Sequence, residues 1–183
     1  MEDAGGPSHV RGLPHDAPSQ APLAARRHTC PDHPAVADSL NSLAVLYWTQ
    51  GEYEQAEPLH KRALTIKEKA LGLNHSTVAT SLNNLALVYA RQGKYGKVEP
   101  LHERALAIWE ETLGPDHPSI ASSLNNLALV YARQGEYEKA EPLYKQALTI
   151  WQKTLGSAHP VVADCLNNLA ATHVELSQYD SAV

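Results

Sequence analysis

Paired asparagines and single arginines recur at a fixed spacing, and they are the side chains of this chain best suited to hold something. Asn83-Asn84 returns as Asn125-Asn126 and again as Asn167-Asn168, each step being 42 residues; Asn41 stands at the same place one step earlier. Arg91 returns as Arg133. An amide side chain carries both donors and acceptors, so a ladder of amides can pair with the main chain of any extended peptide. A guanidinium beside the ladder adds charge-assisted bonds to a carboxylate, worth roughly 1.5–3 kcal/mol each when shielded from water. Val45, Leu87 and Leu129 share that helical face, with Trp48 beside them, and could accept an apolar side chain. The chemistry is recognition of an extended segment that carries an acidic residue next to a large apolar one.

A structural use competes for the same residues. The second asparagine of each pair (Asn84, Asn126, Asn168) could equally bond between neighbouring repeats and stabilise the stack. Arg91 and Arg133 fall near a helix C-terminus, where positive charge is favourable without any ligand. Asn41, Asn83 and Asn125 are the asparagines weighted toward binding.

The remaining reactive types point away from catalysis. His33, His75, His117 and His159 occur once per period, so they are spread along the chain and suit a junction or capping role. His60 and His102 share a slot with Tyr144, which reads as packing, and Trp109 and Trp151 share one with Lys67. Acidic residues such as Glu52, Glu54 and Glu57 follow a surface pattern. No glycine-rich phosphate loop, metal-spaced cluster or nucleophile motif is present, so no catalytic residue, metal or cofactor is expected and the chain does not read as an enzyme. Cys30 and Cys165 have no metal or redox spacing, and no apolar signal region precedes them; a reducing, cytoplasmic setting is expected. A net charge of −5 and a pI near 6.0 disfavour nucleic acid as a partner. No apolar run reaches the roughly 18–20 residues that a membrane span needs.

These side chains are positioned by a repeat. Ser81–Gly93 returns letter for letter at Ser123–Gly135, and a period in this range signals stacked units. The units are 33–74, 75–116 and 117–158, with a partial one at 159–183, after a proline- and glycine-rich leader over 1–32 that is expected to be disordered. In each unit a first helix opens at a histidine junction and places Leu40, Leu43, Ala44 and Tyr47, or Leu82, Leu85, Ala86 and Tyr89, on one inward face. Gly51, Gly93 and Gly135 close it. The second helix runs from Tyr53, Tyr95 or Tyr137 to Leu71, Leu113 or Leu155, with Pro58, Pro100 and Pro142 expected to bend it mildly near its start. Gly96, where the neighbouring units have Glu54 and Glu138, costs about 1 kcal/mol of helix propensity and predicts a frayed start. In the fourth unit Ser177 takes the glycine slot and a second helix is expected from Tyr179. That unit has no polar cap, so it is expected to be loosely held, to offer an apolar end for self-association, and to mark the chain as a segment of a longer array.

The order Leu82, Leu85-Ala86, Tyr89, Gly93, Tyr95, Val98, Ala105 resembles the tetratricopeptide pattern, and the 42-residue period resembles its kinesin-light-chain type. The resemblance implies an all-α, right-handed α-solenoid of antiparallel helix pairs. It further implies that the first-helix face lines a concave groove for extended peptides. The expected groove residues are Asn41, Asn83, Asn84, Leu87, Arg91, Asn125, Asn126, Leu129, Arg133 and Asn167. The function expected is a protein-binding adaptor; a self-associating scaffold, or a regulatory segment of a larger signalling protein, stands beside it.

Overall fold

Each repeat becomes a pair of helices because its apolar residues return at helical spacing and its glycines stop the chain at set intervals. A computed structural model describes residues 32–180. The helices are α1 (Pro34–Thr49), α2 (Tyr53–Leu71), α3 (Ser76–Arg91), α4 (Val98–Leu113), α5 (Pro118–Arg133), α6 (Tyr137–Leu155) and α7 (Pro160–Asp180), with a 3-10 turn at Tyr95–Lys97 before α4. Each helix packs on its neighbours in the chain, giving an all-α solenoid of helix pairs α1–α2, α3–α4 and α5–α6, followed by α7. The leader, apart from Asp32, and Ala182 lie outside the described residues.

The first helices start where the histidines place them. Nδ1 of His33, His75 and His117 accepts the amide N–H two residues on at 3.2 Å, and His159 does so at 3.3 Å. A ring nitrogen can accept only when unprotonated, so the proton sits on Nε2. At the far end of α3 the amide of Lys94 reaches back to the carbonyl of Tyr89 at 2.9 Å. That closure needs Gly93 at φ +71°, a left-handed conformation that side chains disfavour.

Alanines set how closely the helices approach. Ala44, Ala56, Ala86, Ala105, Ala128 and Ala147 are all fully buried, and Trp109 and Trp151 fill the space between repeats. Leu43, assigned inward by its spacing, is an exception: it is 41% exposed, whereas Leu85 and Leu127 at the same slot are 4% and 5% exposed. This slot is covered by the preceding pair of helices, and no described helix precedes α1. Leu46 is 50% exposed for the same reason, against 0% for Val88.

Three further expectations change. Glu57 is not simply a surface residue. It is partly buried, accepts the hydroxyl of Tyr89 at 3.3 Å across the repeat boundary, and pairs with Lys61 at 2.6 Å and Lys94 at 2.9 Å. Lys61 above all holds its carboxyl down at about 2. The contact recurs as Tyr131 to Glu99, and His173 Nε2 takes the same place 3.5 Å from Glu141. Second, α7 does not break at Ser177 but continues through Tyr179 to Asp180, since a serine offers no left-handed stop. In the second repeat, Gly96 yields a tighter 3-10 turn rather than a frayed end, and α4 has 16 residues against 19 for α2 and α6.

Candidate functional site

The outward faces of α1, α3, α5 and α7 form a run of three pockets that share lining residues. The first, about 190 Å³, is walled by Val45 and Trp48 of α1, Asn84 and Leu87 of α3, and His60 of α2. Trp48 and Leu87 also border the second, about 210 Å³, with Ala90, Arg91, Asn126, Leu129, Val130 and Arg133. Asn126 leads into the third, about 250 Å³, with Ser122, Asn125, Trp151, Val161, Asp164 and Cys165. Several equivalent positions of successive repeats line this run, Asn84 with Asn126, Leu87 with Leu129 and Arg91 with Arg133, and the run forms the candidate groove.

Most of the residues singled out by spacing meet here. Asn84, Leu87, Arg91, Asn125, Asn126, Leu129 and Arg133 all border the run. Three are placed differently. Asn41 turns to its own second helix, its Oδ1 lying 3.1 Å from Nδ1 of His60. Asn83 is half-buried and borders none of these three pockets, and Asn167 is exposed outside them. In the first two pairs the second asparagine, Asn84 or Asn126, is therefore the one that borders the pockets most fully. Asn83 and Asn125 instead carry sealed Oδ1 atoms with no partner.

The electrostatics divide the groove. The Arg91 guanidinium lies 5.5 Å from the centre of the Trp48 ring, a cation–π contact that fixes its height over the apolar pocket. Arg91 and Arg133 are exposed, and neither meets a carboxylate among the described residues. The Trp48 indole N–H is buried without an acceptor. The middle of the groove thus offers the guanidinium donors of Arg91 and Arg133 beside apolar walls. His60, at the base of the first pocket, is held neutral by burial down to about 4. Trp151 and His60 were read from sequence as packing residues, and they are buried; their second use as pocket walls depends on how the second helices cross, which a helical wheel does not contain.

Among the described residues no group of histidine, cysteine and carboxylate side chains is arranged to hold a metal, and no helix is long and apolar enough to cross a membrane. What the fold and groove define is a helical-repeat interaction scaffold. Tetratricopeptide-repeat profiles match residues 36–77, 77–150 and 119–183, and the chain belongs to the tetratricopeptide-repeat family. Its solved neighbours include kinesin-light-chain-like repeat proteins. Nearly identical TPR-like repeats of a Podosopora anserina protein assigned as a kinesin light chain are 31% identical, over 82% of this chain and 71% of that one, with a TM-score of 0.72. BtubC (BKLC) of P. vanneervenii is 26% identical over 80% of this chain and 58% of its own, also at 0.72. The Sgt2 TPR domain of Aspergillus fumigatus shares the fold at 19% identity and a TM-score of 0.60, over 79% of this chain and 82% of that one. No curated protein sequence matches the chain. Tetratricopeptide arrays are protein-interaction modules, and the fold is that of a non-enzymatic scaffold.

Proposed function

We propose that the groove binds an extended protein segment carrying an acidic residue beside a large apolar one. The observation that carries this reading is the junction of the first two pockets, where Trp48 and Leu87 supply apolar walls and Arg91 and Arg133 supply unpaired guanidinium groups. Asn84 and Asn126, on either side, offer amides to the ligand's main chain. The experiment is fluorescence anisotropy with labelled peptides containing one leucine or tryptophan near one aspartate or glutamate. Arg91→Ala with Arg133→Ala weakens binding about tenfold or more, as loss of a charge-assisted bond predicts. Unchanged affinity in the double variant overturns the reading.

Self-association through the apolar end is a second reading, favoured by the open face of α7. Leu166 there is 44% exposed, while Leu82 and Leu124 at the same slot are buried. Sedimentation velocity tests it: a concentration-dependent dimer that Leu166→Lys abolishes is expected, and a strict monomer at high concentration rules it out.

A further inference from the structure

We propose that α7 pairs antiparallel with α7 of a second copy of this chain, each helix covering the open face of the other. The inference rests on the self-association reading above and gives it a partner surface and a geometry. Within the chain, a first helix meets the second helix of its own unit through alanines seven residues apart. Ala37 clusters with Ala63 and Ile66, and Ala44 with Ala56, so the two alanine pairs run in opposite directions along the contact. Leu40, between the first-helix alanines, packs against the same cluster as Ala37 and Ala63. In the third unit the same slots, Ala121 and Ala128 on α5 and Ala140 and Ala147 on α6, are likewise fully buried. On α7 the first-helix slots are Ala163, Leu166 and Ala170, and all three are exposed. No described helix covers them.

Whatever covers this face must itself be small where it meets the alanines. Packed helices lie about 8–10 Å apart according to the side chains at the contact, and small ones allow the closest approach. The alanine pairs on α1, α2, α3, α5 and α6 are all fully buried, so they are already spent inside the chain. Leu43 and Leu46, which also face water, offer two bulky side chains and no alanine pair. Among the described helices only α7 has its pair free, and that pair is self-complementary. With α7 turned end for end about a twofold axis beside Leu166 and Asn167, Ala163 meets Ala170 of the second copy and Ala170 meets its Ala163. The two Leu166 side chains then flank the axis. Both copies use the same patch, which closes the assembly at a dimer. One helix-on-helix contact is a small interface, and stable ones bury roughly 1,200–2,000 Å², so the pairing is weak and concentration-dependent.

The test combines sedimentation with directed cross-linking of the full chain. Cys30→Ser removes one native thiol, and Cys165 is only 1% exposed and out of reach. In the antiparallel pairing, position 163 of one copy lies against position 170 of the other, while like positions are about 10 Å apart along the axis. A disulfide spans Cα atoms no more than about 7 Å apart, so mixing the Ala163→Cys chain with the Ala170→Cys chain under oxidised glutathione is expected to give at least about fivefold more cross-linked dimer than either chain alone. Leu166→Lys removes both the dimer and the cross-link, whereas Leu43→Lys with Leu46→Lys changes neither. A dimer that cross-links equally in mixed and single-variant samples, or that the two α1 substitutions dissolve, overturns the α7 pairing while leaving self-association intact. A strict monomer at high concentration overturns both.

Discussion

Two buried histidines make the fold less stable as pH falls from about 6.5 toward 4. His60 and His102 lie in the interior, beside Asn41 and Ser123, and burial holds both neutral until about pH 4. In the unfolded chain they take up protons near 6.5. Between those values the unfolded state binds more protons, so the stabilisation is complete above about 6.5 and is lost as pH falls toward 4. The slope is at most ~1.4 kcal/mol per pH unit for each histidine. Urea midpoints measured at pH 7.5 and pH 5 are expected to differ, and His102→Tyr, which copies the third repeat's Tyr144, is expected to shrink the difference. An equal difference in that variant shows that other groups set it. The packing role of these residues was legible because a histidine slot that tolerates tyrosine is a volume rather than a ligand. The capping histidines were legible because they precede each first helix. Glu57 was not, since its use depends on a tyrosine 32 residues away across a repeat boundary.

At the level of the helix, the second repeat is where the local sequence departs from its neighbours. Gly96 sits in the 3-10 turn before α4, and a Cβ built there meets no atom within 4 Å. Gly96→Glu restores the residue of the first and third repeats and is expected to extend α4 back toward Tyr95. It gains about 1 kcal/mol from helix propensity alone. Circular dichroism and a thermal melt check it, and a lowered melting temperature would show that the 3-10 turn is required by packing. Helix boundaries followed from the glycine and histidine punctuation almost throughout. The fourth unit departed because its stop signal was inferred from a slot, and the serine in that slot lacks the backbone freedom that made the slot a stop. For the asparagine pairs the wheel marked the side of the helix that borders the pockets, but the split between neighbours such as Asn83 and Asn84 comes from the adjoining repeat, which a single-helix projection omits.

Taken as a whole, the array is quasi-one-dimensional, each pair being held by the pairs on either side. Among the described residues, Leu43, Val45 and Leu46 on α1 and Leu166 and Val174 on α7 are exposed large apolar residues; the others, Leu71, Leu73, Leu113 and Leu155, lie at or just past the ends of the second helices. If self-association instead joins α1 to α7, Leu43→Lys with Leu46→Lys disrupts it as effectively as Leu166→Lys, at little cost in monomer stability because these side chains already face water. A dimer that ignores both changes uses another surface.

The verbatim return of Ser81–Gly93 at Ser123–Gly135 has a consequence for any segment lying in the groove. Leu87, Ala90 and Arg91 are chemically indistinguishable from Leu129, Ala132 and Arg133, so on those residues alone a ligand could settle in either of two registers, one repeat apart. Trp48 has no copy in the later repeats, where the slot is Ala90, Ala132 and Val174. If the proposed segment seats its apolar residue against Trp48, that contact selects one of the two registers, because alanine or valine takes the Trp48 slot in every later repeat.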